Sequence, residues 1–220
     1  MSEYGSNYDY GNSPLYKDDG DDITSDNLFI FFPNWKNPVY INYKMETVIS
    51  KTKYGLEQRK TLLTKPILSQ KYTLSENIEY TKIWNFIQSL QSSTFYSLLH
   101  TEVVKITDRD SLLGLLEVNT NNLQYHYYLN NYSTYCLLYD NRKIIGNLIL
   151  EIDTVNSDSI KFKSAISSRF MGQNTYIYPI YFCFISDKSR KDTTDKYTEI
   201  SVELTEINEI SEYITARNES

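Results

Sequence analysis

The alternation of apolar and polar residues predicts a chain built mainly from β-strands. Short runs of β-branched and aromatic residues, bounded by Asn, Asp and Gly, recur along most of the sequence, and such runs are typical of strands. In the second half we predict strands at residues 115–118, 125–129, 135–139, 143–152, 159–162, 175–184 and 198–204. Their spacing favours a small β-barrel or β-sandwich over residues 107–205.

One stretch departs from this alternation and predicts a helix. Its apolar residues recur at helical spacing at Ile83, Trp84, Phe86, Ile87 and Leu90. A stripe of this kind is typical of a helix face packed on a core. Ser75 is a residue type suited to cap the N-terminus of this helix. A weaker apolar pattern within residues 207–214 is compatible with a second, terminal helix, so we predict one or two short helices.

These patterns predict four parts of the chain. The parts are an assembly arm at residues 1–27, an α+β region at 28–106, the β-barrel or β-sandwich at 107–205 and a flexible tail at 206–220. The arm is rich in Gly, Ser, Asn and Asp, and it contains the acidic run at residues 18–22. Because little in it can pack, we expect it to be disordered when alone. The spacing of its acids does not fit a calcium-binding EF-hand loop.

A stiff aromatic and proline segment opens the α+β region. Pro33 and Pro38 each fix their own φ and favour extended geometry in the residue before them. Trp35 lies between them and offers a large apolar face with a single N–H donor. Two interpretations of Trp35 remain open: it belongs to the core, or it anchors a contact with another protein.

A second distinctive segment runs from Gly55 to Pro66. Gly55 allows a positive φ or a close backbone approach, and Glu57 and Gln58 follow it. Arg59 offers a planar set of five donors suited to a carboxylate or to backbone carbonyls. Arg59 either binds a neighbouring subunit or ties two parts of this chain together.

These segments resemble a pattern found in structural proteins of tailed bacteriophages, a tail or tail-tip family among them. The matching segments are Thr47–Val48–Ile49–Ser50, Tyr54–Gly55–Leu56–Glu57–Gln58–Arg59, Pro66–Ile67–Leu68, Tyr72–Thr73–Leu74 and the run from Gly172 to Tyr178–Pro179. In that family the pattern follows a Phe-Pro/Trp motif, here Phe32–Pro33 and Trp35. Leu68 departs from the pattern, since the family often has a second Arg there.

The resemblance implies a structural subunit of a phage virion, located in the tail or in the head-to-tail (neck) region as part of a ring or hub. Its expected partners are copies of itself in a ring and neighbouring tail, neck or portal proteins, with DNA passing through without specific binding. No cofactor, metal or membrane is expected. The candidate interface residues are Trp35, Pro38, Gly55, Glu57, Gln58, Arg59, Pro66, Tyr178 and Pro179.

Charge and composition refine this expectation. The net charge of −6 argues against a general nucleic-acid binder, which normally carries a basic footprint. Residues 51–71 are nevertheless locally basic. This basic stretch is either a solvated strand face or a contact with an acidic neighbour such as the arm. The 21 tyrosines are explained by an A/T-rich genome, with interface use as a second contribution. No secretory signal is recognisable after Met1, so we expect synthesis in a host cytoplasm and location in the virion.

The residues that normally carry catalysis form no recognisable motif. The sequence has no Walker loop, no G-x-S-x-G and no H-E-x-x-H. Cys136 and Cys183 lie in apolar surroundings and are expected to be buried free thiols, although a pairing of one of them with His126 stays open. We therefore expect no enzyme. The alternatives are a tail-associated hydrolase, or a carbohydrate-binding module that uses Tyr125, Tyr127 and Tyr128 as a stacking surface.

Overall fold

The computed structural model describes residues 28–45, 47–51, 57–61, 65–77, 82–90, 93–140, 148–167, 170–193 and 197–207, and of residues 48–51, 57–61 and 77 it describes the backbone. This part of the chain is mainly β, with antiparallel strands and two short α-helices. The prediction of a mainly β fold with one or two short helices is therefore confirmed. The predicted arm at residues 1–27, with its acidic run, and the tail from residue 208 onwards lie outside the described residues.

The strands and helices are numbered in chain order. The strands are β1 Leu28–Phe29, β2 Tyr40–Lys44, β3 Thr47–Lys51, β4 Glu57–Thr61, β5 Ile67–Asn77, β6 Phe95–Leu98, β7 Val104–Lys105, β8 Glu117–Asn119, β9 Tyr135–Asp140, β10 Leu148–Val155, β11 Ser159–Phe162, β12 Thr175–Asp192 and β13 Tyr197–Glu206. The helices are α1 Lys82–Ser89 and α2 Tyr127–Asn131, with short 3-10 turns at Leu123–Tyr125 and Gly172–Asn174.

Strand pairing in the main sheet follows an open path. The order is β2-β5-β13-β12-β9-β10-β11-β8, while β6 and β7 also pair with β12, and β1 pairs with β6. Within the described residues the two ends of this path do not pair with each other, so the sheet is not closed into a barrel. A separate two-stranded sheet is formed by β3 and β4.

The chain divides into two units. Among the described residues, the inserted unit consists of those in the range 102–179 together with Leu28, and the flanking unit consists of those in the ranges 29–101 and 180–207. The division falls within β12, between Pro179 and Ile180, so this one strand contributes to both units.

The flanking unit is organised by the pairing of β5 with β13. The register runs from Tyr197 opposite Asn77 to Thr205 opposite Ser69. Both strands alternate buried and more exposed residues, because successive side chains in a strand point to opposite faces of the sheet. The inward residues of β5 include Leu68, Tyr72 and Leu74.

Phenylalanines from several segments form the aromatic core of the flanking unit. Phe29 contacts Phe31 with ring centroids 4.9 Å apart and Phe95 at 5.5 Å. Phe86 of α1 meets Phe31 at 5.4 Å, and Ile87 of the same helix is fully buried. The apolar stripe predicted in this helix therefore packs on the core, as its spacing indicated.

The start of α1 differs from the prediction. Ser75 is not a helix cap; it lies within β5, which continues to Asn77, and it pairs opposite Glu199 of β13. The helix begins at Lys82, and the carboxylate of Glu76 accepts hydrogen bonds from the backbone N–H of Ile83 at 2.6 Å and of Trp84 at 3.3 Å. Pairing with a strand distant in the sequence outweighed the local capping signal of Ser75.

The inserted unit contains the second half of the strand path. In it β9, β10, β11 and β8 pair in that order, with Leu148 opposite Leu138 and Ile160 opposite Val118. Its core takes apolar side chains from each strand, among them Val118, Leu138, Leu150, Ile160 and Ile177. Cys136 belongs to the same core. Buried side chains of this kind are the main source of stability in such a unit.

The predicted strand at residues 125–129 is wrong. The chain there forms a 3-10 turn at Leu123–Tyr125 followed by α2. The turn begins after Asn122, which has a φ of 56°, a conformation that Asn tolerates better than most residues. The buried carboxylate of Glu102 accepts the backbone N–H groups of Tyr128 and Leu129, each at 2.8 Å. This contact spans 27 residues to Leu129 and leaves no local sequence signal.

Candidate interaction surface

Trp35 lies at the second position of a tight turn formed by residues 34–37. The backbone N–H of Asn37 donates to the carbonyl of Asn34 at 3.0 Å and closes the turn. Pro33 before the turn is buried, and Pro38 after it is exposed. Asn is favoured at the first position of such turns, which explains locally why the chain reverses here.

The turn is fixed to β5 through Asn34. Its backbone N–H donates to the carbonyl of Thr73 at 2.6 Å, and its side-chain Nδ2 donates to the hydroxyl of Ser75 at 2.7 Å. The side-chain Oδ1 of Asn34 accepts the backbone N–H of Lys36 at 3.2 Å. One side chain therefore holds the turn closed and ties it to the sheet. We call residues 34–37 the Trp35 turn.

The Trp35 turn exposes its tryptophan to solvent. Trp35 is 64% exposed, and the next large aromatic residue along the chain, Tyr40 at the start of β2, is 62% exposed. Of the two interpretations left open by the sequence, burial of Trp35 in the core of this chain is excluded. A large exposed aromatic on a fixed turn is the kind of residue that anchors protein interfaces.

The outer face of β5 is polar. Ser69 lies beside Glu203 and Thr205 of β13, with oxygen–oxygen distances of 3.2 Å to each. Lys71 forms ion pairs with Glu203 at 3.5 Å and with Asp187 at 3.6 Å. Lys71 and Asp187 are exposed and Glu203 is half-buried, so these long, partly solvated pairs add little to stability. The face offers hydrogen-bonding groups at fixed positions instead.

Glu57, Gln58 and Arg59 lie in β4, and their backbone pairs with β3. Arg59 stands opposite Ile49, and Glu57 stands opposite Lys51. Gly55 lies outside the described residues. The structure thus places three of the motif residues on a β-hairpin built from β3 and β4. We call this the β3–β4 hairpin.

Pro66 is buried at the point where the chain returns from the hairpin to β5. Next to it, the ammonium of Lys65 pairs with the buried carboxylate of Glu206 at 2.7 Å. The other oxygen of Glu206 accepts the backbone N–H of Leu68 at 3.2 Å. The side chain of Leu68, the departure from the phage-like pattern, is fully buried. Pro66 and Leu68 therefore contribute to the interior.

Tyr178 and Pro179 also lie inside, at the end of the inserted unit. The ring of Tyr178 meets that of Tyr139 edge to face, with centroids 6.0 Å apart. Burial raises the pKa of the Tyr178 hydroxyl, and the neighbouring Tyr139 and Tyr176 raise it further. Among the candidate interface residues, Trp35 and Pro38 are exposed, whereas Pro66, Tyr178 and Pro179 are buried.

Gly172, the first residue of the same motif, is required by close packing. A Cβ atom at this position would lie 2.2 Å from the carbonyl oxygen of Asp108. The backbone N–H of Gly172 also donates to the carbonyl of Asp110 at 3.1 Å. Because a backbone oxygen cannot move aside easily, no other residue fits here without displacing the Asp108 loop.

Both cysteines and His100 are buried, and His126 is half-buried. Cys136 and Cys183 are buried free thiols, as predicted, and burial raises the pKa of both. A thiol with a raised pKa is a poor nucleophile at neutral pH. His100 is buried in the flanking unit, and burial lowers its pKa to about 3. His126 is half-buried, at the start of α2 in the inserted unit.

The three tyrosines predicted as a stacking surface do not share one face. Tyr125 is 77% exposed and Tyr127 is 48% exposed, but Tyr128 is buried. The hydroxyl of Tyr127 lies 3.1 Å from that of Tyr132, and the two rings meet edge to face. Two exposed rings, one in the 3-10 turn and one in α2, thus replace the predicted stacking surface of three.

Within the described ranges, no group of three or more His, Cys, Asp or Glu side chains is placed to hold a metal ion. None of the helices in that part of the chain is long and apolar enough to cross a bilayer. We found no protein-family model and no curated protein that matches this chain.

The sequence did not single out the residues that fix the Trp35 turn. Asn34, Thr73 and Ser75 hold it through the hydrogen bonds described above. A usable signal was present, because an Asn between Pro33 and Trp35 is a typical first residue of a turn. The partners on β5 had no such signal, because 41 residues separate Ser75 from Asn34.

Proposed function

We propose that this chain is a structural subunit of a tailed-bacteriophage virion, in the tail or neck, and that it assembles by protein contacts around the DNA conduit. The observation that carries the proposal is Trp35, exposed on a turn that hydrogen bonds fix to the sheet. Buried aromatic anchors contribute much of the binding energy at interfaces. The resemblance of the Gly55–Arg59 segment to phage structural proteins supports the virion setting.

The fixed turn favours binding because the free chain already holds the backbone of the Trp35 turn in place. Association also pays for the ordering of loops at an interface, and the hydrogen bonds of Asn34 reduce that part of the cost. A specific contact buries about 800 Å² on each partner. The Trp35 turn, exposed Pro38 and the polar face of β5 supply an apolar anchor with hydrogen-bonding groups on the same unit, which is the usual composition of an interface core and rim.

The charge of the chain supports the passage of DNA without specific binding. Its net charge is −6. A conduit with a basic lining would bind phosphates and release counterions, and this would slow the passage of the duplex. A net acidic subunit avoids that binding.

Negative-stain microscopy of the chain mixed with the proteins encoded beside it tests the proposal. We expect rings, or discrete particles attached to a tail or portal assembly. Arg59→Ala should prevent ring formation while the monomer stays folded, as judged by circular dichroism. A chain that remains monomeric and binds none of these proteins would contradict the proposal.

A second candidate is a carbohydrate-binding module, and the exposure of Tyr125 and Tyr127 favours it. Exposed aromatic rings of this kind offer flat apolar faces with polar tips. Titration with oligosaccharides tests it: binding that is lost in Tyr127→Ala and retained in Trp35→Ala would favour this candidate over assembly.

A further inference from the structure

The net charge of the chain is concentrated in its first 27 residues. They contain seven acidic residues and one lysine, which gives a net charge of −6. The remaining 193 residues contain 21 acidic and 21 basic residues, so they sum to zero. The N-terminal arm is therefore a strongly acidic segment, and the rest of the chain has no net charge. A segment with this charge is suited to bind a basic surface.

The β3–β4 hairpin together with the end of β2 is basic. The strand residues from Lys44 to Thr61 include four basic residues and a single acidic residue, Glu57. The basic residues are Lys44, Lys51, Arg59 and Lys60. Lys51 stands opposite Glu57 in the register of the hairpin, so the formal charges of these two residues cancel. Arg59 and Lys60 stand opposite the apolar residues Ile49 and Val48. The net positive charge of the hairpin is thus centred on two consecutive residues of β4.

The strand pairing of the hairpin is separate from that of the main sheet. The pairing of β2 with β5 ends at Lys44 opposite Ile67, and β3 and β4 then pair only with each other among the described strands. A two-stranded hairpin is marginally stable by itself in water. A partner that covers it would stabilise it, and its strand edges offer backbone groups to an extended peptide.

We infer that the acidic arm of one copy binds the basic β3–β4 hairpin of a neighbouring copy. The inference rests on the proposed assembly function and names the segments that meet. A ring requires a heterologous contact, in which two different surfaces of the same chain join; an arm and a hairpin form such a pair. An extended arm of 27 residues reaches roughly 90 Å from Leu28. Carboxylates of the arm would pair with the Arg59 fork and the Lys60 ammonium.

Sedimentation velocity of the full chain and three variants tests this inference. The first variant lacks residues 2–26, and the second carries Arg59→Glu with Lys60→Glu. The control carries Lys105→Glu with Arg109→Glu, an equal charge change at two exposed residues of the inserted unit. We expect the first two variants to self-associate at least about tenfold more weakly than the full chain, whereas the control associates normally. Raising the salt concentration from about 0.05 M to about 0.5 M should also weaken the self-association of the full chain.

A mixing experiment separates exchange between copies from folding of the arm onto its own hairpin. The arm-deleted variant keeps an intact hairpin, and the Arg59→Glu, Lys60→Glu variant keeps an intact arm. Mixed together, they should form a one-to-one complex that does not grow further. Failure of the two variants to associate, or full self-association of the arm-deleted variant, would overturn the inference. If both the full chain and the arm-deleted variant assemble, the proposed assembly function is supported and the arm contact is refuted. If the full chain does not associate, both the assembly function and the arm contact are refuted.

Discussion

The side-chain Nδ2 of Asn34 donates a hydrogen bond to the hydroxyl of Ser75 at 2.7 Å, across 41 residues of sequence. Together with the bond from the Asn34 backbone N–H to the carbonyl of Thr73, it fixes the Trp35 turn to β5. The exposure of Trp35 is therefore a property of a held turn rather than of a loose loop. This relationship is the structural basis of the proposed docking function.

Replacing Asn34 by Ala should loosen the Trp35 turn. The variant loses the bonds to Ser75 and to the Lys36 N–H, at a cost of about 1–2 kcal/mol. For a chain of this size, that lowers the melting temperature by about 2–8 °C, which calorimetry measures. Asn37→Ala is the matched control, because the backbone N–H that closes the turn remains in alanine. Equal losses in the two variants would show that the Asn34 side chain does not hold the turn.

Acid should destabilise the chain through His100. Burial holds the pKa of this imidazole at about 3 in the folded chain, against an ordinary value of 6.5. Between these pH values the unfolded chain binds a proton that the folded chain does not, so stability falls as the pH decreases through this window. The gap corresponds to about 5 kcal/mol at its acid end.

Urea unfolding at several pH values between 6.5 and 4 tests the role of His100. His100→Phe keeps an aromatic ring beside Tyr72 and Phe32 but cannot take up a proton. We expect its free energy of unfolding to fall less steeply with decreasing pH than that of the unmodified chain. His126→Gln, at the other and half-buried histidine, serves as the control. A slope unchanged in His100→Phe would refute this account of acid sensitivity.

Gly172→Ala should destabilise the inserted unit strongly. The added Cβ would lie 2.2 Å from the Asp108 carbonyl oxygen, and relieving such a clash costs about 1–3 kcal/mol or more. Gly114→Ala is the comparison, because it adds a methyl group where no atom lies within 4 Å, at a φ of +82°. Urea unfolding should show the larger loss for Gly172→Ala. The reverse order would mean that left-handed strain outweighs the clash.

Glu76→Ala should weaken the start of α1. It removes the carboxylate that accepts the N–H groups of Ile83 and Trp84, a loss of about 0.5–2 kcal/mol by analogy with helix caps. Hydrogen exchange should show faster exchange at these two amides. Glu199→Ala, at the position opposite Ser75 in β13, removes an acid without removing the cap. Unchanged protection of both amides in Glu76→Ala would rule out a capping role.

The sequence indicated where the strands and helices lie better than it indicated which of them pair or contact each other. Runs of β-branched and aromatic residues identified β9, β11 and β13, and the helical stripe identified α1 because its spacing is regular. The sequence could not indicate that β13 pairs with β5, because Thr205 and Ser69 are far apart in the chain and come together only in the folded structure. The start of α1 was misplaced and α2 was predicted as a strand for the same reason: Glu76 and Glu102 accept hydrogen bonds from N–H groups of residues further along the chain.

The candidate site was predicted in part. Proline spacing and residue type pointed to Trp35, and its exposure agrees with a contact role. Tyr178 and Pro179 belong to a similar short motif but lie in the interior, and Gly172 at the start of that motif packs closely on Asp108. A short motif alone does not distinguish a residue that binds a partner from one that packs inside the chain.

The association constant of Trp35→Ala, measured by sedimentation equilibrium beside the unmodified chain, tests the central claim most directly. Tyr197→Ala is the control, since Tyr197 is an exposed aromatic of the same unit at 55% exposure. We predict that Trp35→Ala weakens self-association, or binding to a neighbouring virion protein, by about 2 kcal/mol or more, with an unchanged melting temperature and normal association of Tyr197→Ala. Equal association of Trp35→Ala and the unmodified chain would contradict the claim that this protein acts by docking through the Trp35 turn.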